Sequence, residues 1–214
     1  MSFCPTEIIE FDRQSPDPAL AARAAEAIRR GKVVAFPTDA LYVLAADPFN
    51  LHAVGRVFQA KGRESHRSLP LLVDSLIMAE DLATHLSSRF YLLARHFWPG
   101  PLTLIVPASA KVPLKVTGNT GRLAVRQPCA PIAAQMIETL EMPIIATSAN
   151  ISGQPTCRSG ADVLGFMDGR LDLILEGGVV GGPGATTIDI TEPYWRVIRE
   201  GAISEAEIAE YLKR

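Results

Sequence analysis

The sequence predicts an α/β protein, an α+β sandwich of helices packed on a mixed sheet. Three observations predict it. Apolar runs rich in β-branched residues are interleaved with amphipathic stretches of helical period along the 214 residues. Strand-like runs also follow one another directly, near Lys32–Asp47, Leu102–Arg126 and Asp172–Ile198, so the sheet is expected to be mixed and not purely parallel. Apolar residues make up 48% and charged residues 21%, the balance of a globular domain. With no internal repeat, low-complexity tract or linker, one domain over residues 1–214 is expected, with 1–17 as a lead-in.

The first helix is expected in "SPDPALAARAAEAIRRG". Asp17 suits the N-cap, Pro18 the first helical position and Gly31 the position past the last turn. "KVVAF" is then a buried strand stopped by "PTD", and "LYVLAAD" a second apolar run. "NLHAVGRVFQAKG" is a helix closed by Gly62, and "LPLLV" a strand. Helices about Ser75–Leu86 and Ser88–Trp98 follow, the latter ended by "PGP". Strands "LTLIVPA" and "GRLAVRQP", helix "PIAAQMIETLEM" and strand "PIIAT" come next. "SANISGQP" is a polar loop, "SGADVLGFM" a short helix and "LDLILEGG" a strand. "GGPGATTIDI" is a glycine-rich loop entering a strand, and "YWRVIREG" another strand. "SEAEIAEYLKR" closes the chain as a helix, with Ser204 and Glu207 forming a capping box.

Several function classes are excluded by the pattern. Cys4, Cys129 and Cys157 are isolated, so neither a zinc site nor a disulfide framework is expected. No run reaches the ~18 apolar residues of a spanning helix, and the N-terminus has early acids and no apolar signal core. A cytoplasmic protein without membrane attachment is expected, which leaves the "NIS" sequon at Asn150 without a role. A net charge of −2 confines any nucleic-acid binding to a local basic patch.

Five stretches carry candidate chemistry, each with a plainer reading beside it. "GGVVGGPGATT" lacks the P-loop Lys and the third dinucleotide Gly and leads into a strand, so a glycine-rich turn is expected. "TSAN" follows the buried "PIIA" and puts Thr147, Ser148 and Asn150 at a strand end, where α/β sheets hold ligands. Its plainer reading is a Ser/Thr or Asx turn. No GxSxG surrounds Ser148, which argues against a serine hydrolase. "KGR" offers Lys61 as a point charge and Arg63 as a planar fork for phosphate, or simply a solvated face. "AVRQP" sets Arg126 in an apolar strand, where a cation needs an anion unless it reaches water. "FPTDALY" places Thr38 and Asp39 at another strand end, where a simple turn also fits.

In their order, "FPTDALYVLAAD", "KGR…LPLLV", "FWPGPLTLIV", "GRLAVRQP", "PIIATSANISGQP" and "VIREGAIS" resemble the YrdC-like family of L-threonylcarbamoyladenylate synthases, from about residue 18 to 214. The resemblance implies a YrdC-like twisted mixed sheet with flanking helices and a concave basic face, without the C-terminal extra domain of longer relatives. It implies a nucleotidyltransferase that converts L-threonine, bicarbonate and ATP into threonylcarbamoyl-AMP and pyrophosphate. Mg²⁺ would travel on the ATP phosphates, with no protein-held metal. Further proteins would then transfer the threonylcarbamoyl group to tRNA. The resemblance assigns a catalytic tetrad of Lys61, Arg63, Ser148 and Asn150. It assigns substrate and nucleotide contacts to Thr38, Arg126, Thr147, Thr186 and Arg199, and matches Arg67 to a charge placed just before the strand.

The chain departs from that pattern. Relatives usually carry Thr at Ala40, Gly at Val43, Pro at Glu64 and "STV" at Ala185–Thr187. Ala40 removes a hydroxyl, Val43 adds bulk where a backbone comes close, and Glu64 adds an acid beside the cations. Two other functions use the same scaffold. One is carbamoyl-adenylate chemistry from carbamoyl phosphate and ATP, although the companion acylphosphatase and zinc-finger segments are missing. The other is a double-stranded RNA-binding module, which the net charge of −2 and few aromatics disfavour.

Overall fold

The structure is a computed structural model that describes residues 5–64 and 66–212. In chain order the elements begin with β1 (Glu7–Glu10), α1 (Pro18–Arg29), β2 (Val34–Pro37), β3 (Tyr42–Ala45), α2 (Leu51–Lys61), β4 (Leu71–Leu72) and α3 (Leu76–Leu82). They continue with α4 (Ser88–Phe97), β5 (Leu102–Pro107), α5 (Leu114–Thr117), β6 (Arg122–Arg126), α6 (Pro131–Leu140), β7 (Ile144–Ile145) and β8 (Thr147–Ser148). They finish with α7 (Gly160–Met167), β9 (Leu173–Glu176), β10 (Thr186–Asp189), β11 (Arg196–Arg199) and α8 (Glu205–Leu212).

The local signals act as expected at most ends. Asp17 caps α1 by accepting the Ala19 N–H at 2.8 Å. Asn50 caps α2, and Gly62 ends it in the left-handed region at φ 58°. Ser204 accepts the Glu207 N–H at 3.2 Å, while the reciprocal capping box forms at Ser159 and Asp162 instead.

The strands form two mixed sheets, ordered β1-β9-β2-β3-β8 and β11-β10-β5-β6-β4-β7. The segment expected as a lead-in supplies β1, which runs parallel to β9. The stretch "PIIAT" is not one strand. Its first half, β7, pairs antiparallel with β4 in the second sheet, and after Ala146 its second half, β8, pairs antiparallel with β3 in the first. A single segment thus bridges the two sheets, which is why a sequence read as one mixed sheet folds as two.

The two-residue period of strands divides their side chains between two buried cores and an open face. Ala35, Tyr42 and Leu44 from the first sheet and Leu71, Leu102, Leu104, Leu123 and Val125 from the second join one core with α2 and α4. Val34, Phe36, Val43 and Ala45 join the other core beneath α1 and α6. On the second sheet Thr103, Ile105, Ala124, Arg126 and Thr187, with Leu72 at the edge of the second core, face a cleft between the sheets. Among the described residues no helix is long and apolar enough to cross a membrane.

Candidate active site

A cavity of about 490 Å³ opens where β8 crosses between the sheets. Four arginines line it: Arg63, Arg67, Arg126 and Arg199. The hydroxyls of Thr38, Ser68, Thr103, Thr147, Ser148 and Thr187 lie among them, and Ala40, Val43, Leu72, Ile105, Ala124 and Ala146 form an apolar floor. Such a cavity collects anionic groups, because several cations of fixed position converge in a partly desolvated space.

Helix α2 delivers the first cations. Gly62 turns the chain with its positive φ, and the Arg63 N–H donates to Phe58 O at 3.0 Å. Arg63 then reaches the bridging segment: Nη1 donates to Thr147 Oγ1 at 3.4 Å and Nη2 to Ser68 O at 3.2 Å. Its Nε is buried without a partner, so the fold leaves the Arg63 fork incompletely bonded. Burial, and then the nearby Arg67 charge, hold its pKa below the ordinary guanidinium value.

Lys61 behaves differently. It is only 2% exposed and does not line the cavity. Its Nζ donates to Ser148 O, to Asn150 O at 3.0 Å and to Asn150 Oδ1 at 2.9 Å, with Ser148 Oγ at 3.4 Å. Ser148 Oγ donates to Asn150 Oδ1 at 2.7 Å, and Asn150 Nδ2 to Gln154 O at 2.5 Å. The lysine is the knot of the 148–154 loop. Burial, and then the Arg63 charge, push its pKa down to about 8.

On the opposite side Arg126 ends β6 beside the "FWPGP" turn. Its Nε donates to Gly100 O at 2.9 Å and its Nη2 to Asp39 Oδ1. Gly100 must be glycine here, since a Cβ would stand 2.4 Å from Phe97 O. Burial lowers the Arg126 pKa and outweighs the Asp39 carboxylate, which raises it. Arg199 on β11 bonds Ala185 O through Nε at 3.2 Å and Nη2 at 2.8 Å.

The family model Sua5/YciO/YrdC, described as "Telomere recombination", matches residues 26–201. The chain belongs to the Sua5/YciO/YrdC family. It is 41% identical over 190 residues to a threonylcarbamoyl-AMP synthase of Pyrococcus abyssi, covering 88% of this chain and 56% of that one. It is 34% identical over 199 residues to a Bacillus subtilis protein of the same name, covering 92% and 58%. The chain therefore spans little more than half the length of these relatives. The crystal structure of P. abyssi Sua5 complexed with L-threonine superposes with a TM-score of 0.92 at 39% identity, over 97% of this chain and 61% of that one.

Within this Sua5/YciO/YrdC cavity the expected residues sort into three groups. Arg63, Arg67, Arg126, Thr38, Thr147, Ser148 and Arg199 line it together. Lys61 and Asn150 sit behind Ser148 and brace it. Thr186 points elsewhere: its hydroxyl donates to Ile203 O at 2.6 Å and accepts the Gly201 and Ile203 N–H groups at 2.9 and 3.0 Å. Its neighbour Thr187 takes the cavity position, as strand alternation requires. Thr38 lines the cavity, yet its hydroxyl already donates to Leu41 O at 2.9 Å and accepts the Ala40 and Leu41 N–H groups at 3.1 and 3.2 Å. Glu64 is outside the cavity, exposed, with its carboxylate 3.4 Å from His66. Ala40, Val43 and Ala185 do line the cavity, so those departures fall on its wall. Thr103 and Ser68 were missed as site residues, and Asp39, singled out with Thr38 at a strand end, meets Arg126 from outside the cavity. The alternation running back from Arg126 exposes the face, but not which β5 hydroxyl lies across from it.

Proposed function

We propose that this chain is a threonylcarbamoyl-AMP synthase acting as one domain over residues 1–214. L-threonine and bicarbonate form a carbamate, whose oxygen attacks the α-phosphorus of ATP. Pyrophosphate and water leave, and threonylcarbamoyl-AMP remains for transfer to tRNA by further proteins. The observation that carries this reading is the convergence of Arg63, Arg67, Arg126 and Arg199 on one cavity about 490 Å³ in volume. The reaction brings a carboxylate, a carbamate and a triphosphate together, so holding mutually repelling anions in line is most of its catalysis. No covalent nucleophile is needed: Arg63 supplies cationic donors to the cavity, and the Ser148 hydroxyl, which donates to Asn150 Oδ1, lines it as an acceptor. Mg²⁺ arrives as part of the ATP substrate and screens its phosphates. The similarity to synthases of the same name, and to a Sua5 structure holding L-threonine, supports the substrate assignment.

The test is pyrophosphate release from Mg-ATP and bicarbonate, with and without L-threonine. Threonine-dependent release is expected. Release driven by carbamoyl phosphate instead would sink the proposal in favour of carbamoyl-adenylate chemistry. Salt-sensitive binding of double-stranded RNA without any release would sink it in favour of an RNA-binding role.

A further inference from the structure

We propose that Asp39, on the Thr38–Leu41 turn, is a positioning residue that holds the Arg126 guanidinium at the angle the anionic substrates require. The inference rests on the reaction proposed above and deepens it. Arg126 lines the reaction cavity, and Asp39 does not. Asp39 lines a second cavity of about 400 Å³ beside the first, together with Cys129, Pro131 and Val180. Their ion pair therefore forms the partition between the two spaces, and Asp39 grips the guanidinium from behind.

The grip is set by geometry. Gly100 O takes Nε and Asp39 takes Nη2, so two of the three guanidinium nitrogens are fixed. Among the described residues Nη1 has no hydrogen-bond partner, and it is the nitrogen left for a ligand in the cavity. A planar fork held at two corners presents its third donor in one direction only. The turn that carries the carboxylate is itself well anchored. The Thr38 N–H donates to Leu41 O at 2.9 Å, and the Thr38 hydroxyl closes the same turn with three further bonds. Thr38 thus spends its hydroxyl on building the turn that carries Asp39. The side chains are 8% exposed for Arg126 and 17% for Asp39, while the Asp39 residue as a whole stands at the surface, so solvent screens the pair in part.

Asp39 also subtracts charge from the site. Its carboxylate offsets one of four cavity arginines, so it lowers the attraction for ATP while it orients Arg126. Asp39→Asn keeps shape and removes that charge. The expected result is opposite movement of two readouts. ATP titrated calorimetrically without threonine binds about threefold tighter or more, because every phosphate in so small a cavity lies within a Debye length of the pair. Turnover in the full reaction falls about tenfold, because the fork loses its orientation while ground-state binding improves. A merely structural residue would lower affinity, turnover and melting temperature together, and that outcome overturns the proposal. Wild-type affinity with wild-type turnover overturns it as well. If Asp39→Asn does not fold, Asp39→Glu keeps the charge and moves it by one methylene. It is expected to hold ATP affinity and lose turnover, and unchanged turnover there overturns the proposal. Should the wild-type protein release no pyrophosphate with threonine, the reaction fails, while the ATP titration still decides whether Asp39 tunes the cationic site.

Discussion

The loop knot around Lys61 and the arginine cavity next to it are built from residues only two positions apart, yet they are bonded in opposite ways. Lys61 is buried, and its ammonium meets four acceptors of Ser148 and Asn150. Arg63 has weak bonds at 3.2 and 3.4 Å and a buried Nε without a partner. A saturated group has its bonding capacity committed to the fold, whereas an under-bonded one keeps capacity for a ligand. Among the four residues grouped by the family resemblance, then, two bonding states are mixed: Lys61, Asn150 and the Ser148 hydroxyl bond one another within the loop, while Arg63 lines the cavity incompletely bonded.

The widest separation between the two regions is expected from Arg63→Ala. Threonine-dependent pyrophosphate release should fall about a hundredfold or more, the scale of losing a preorganised donor to transition-state charge. The melting temperature should stay within a few degrees, as the fork contributes little to packing. A large loss of stability would make Arg63 part of the fold like Lys61.

Lys61→Met should act on the buried loop instead of the cavity. Several buried acceptors lose their partner, at a cost of about 3 kcal/mol. That corresponds to a melting temperature lower by roughly 6–12 °C for a chain of this size. ATP binding should weaken at the same time, because Ser148 is no longer held. Weaker binding with unchanged melting would instead make Lys61 a direct ligand contact.

A smaller effect follows from pH. The folded Lys61 ammonium titrates at about 8 and its ordinary value is 10.5. Between those values the unfolded chain holds a proton that the folded chain has released. Stability from this group therefore rises with pH across that window and is flat below it. Melting curves from pH 7 to 10 should show wild type gaining on Lys61→Met as pH increases. Parallel curves would contradict the lowered pKa.

The smallest change is expected from Glu64→Gln. Its side chain is 78% exposed, beside His66 and outside the cavity. Turnover and ATP affinity should stay within about twofold, as for an exposed charge screened by water and salt. A marked gain in ATP affinity would mean that the acid reaches the phosphates after all.

Some of this was legible residue by residue. Helix ends at Asp17 and Gly62 depend on neighbours in sequence, so local chemistry announced them. Arg126 in an apolar strand announced the need for a counter-ion, and Asp39 is that ion. The order of short motifs from "FPTDALY" to "VIREG" pointed to the family and its arginines. The error at Thr186 came from choosing one of two adjacent threonines without knowing the phase of β10. That phase is set by pairing with β5, where Thr187 faces Thr103.

The sequence by itself determined the helix caps, the turn at Thr38, the alternation of apolar positions and the residues that could hold anions, since each follows from spacing along the chain. Long-range packing fixed that "PIIAT" crosses between two sheets, that Lys61 is spent inside the loop, and that Glu64 lies outside the cavity. Those outcomes depend on contacts between residues far apart in sequence, such as Lys61 with Asn150 and Arg126 with Asp39. Burial and hydrogen-bond completion, which no local pattern encodes, determine which of the candidate cations remains free to bind.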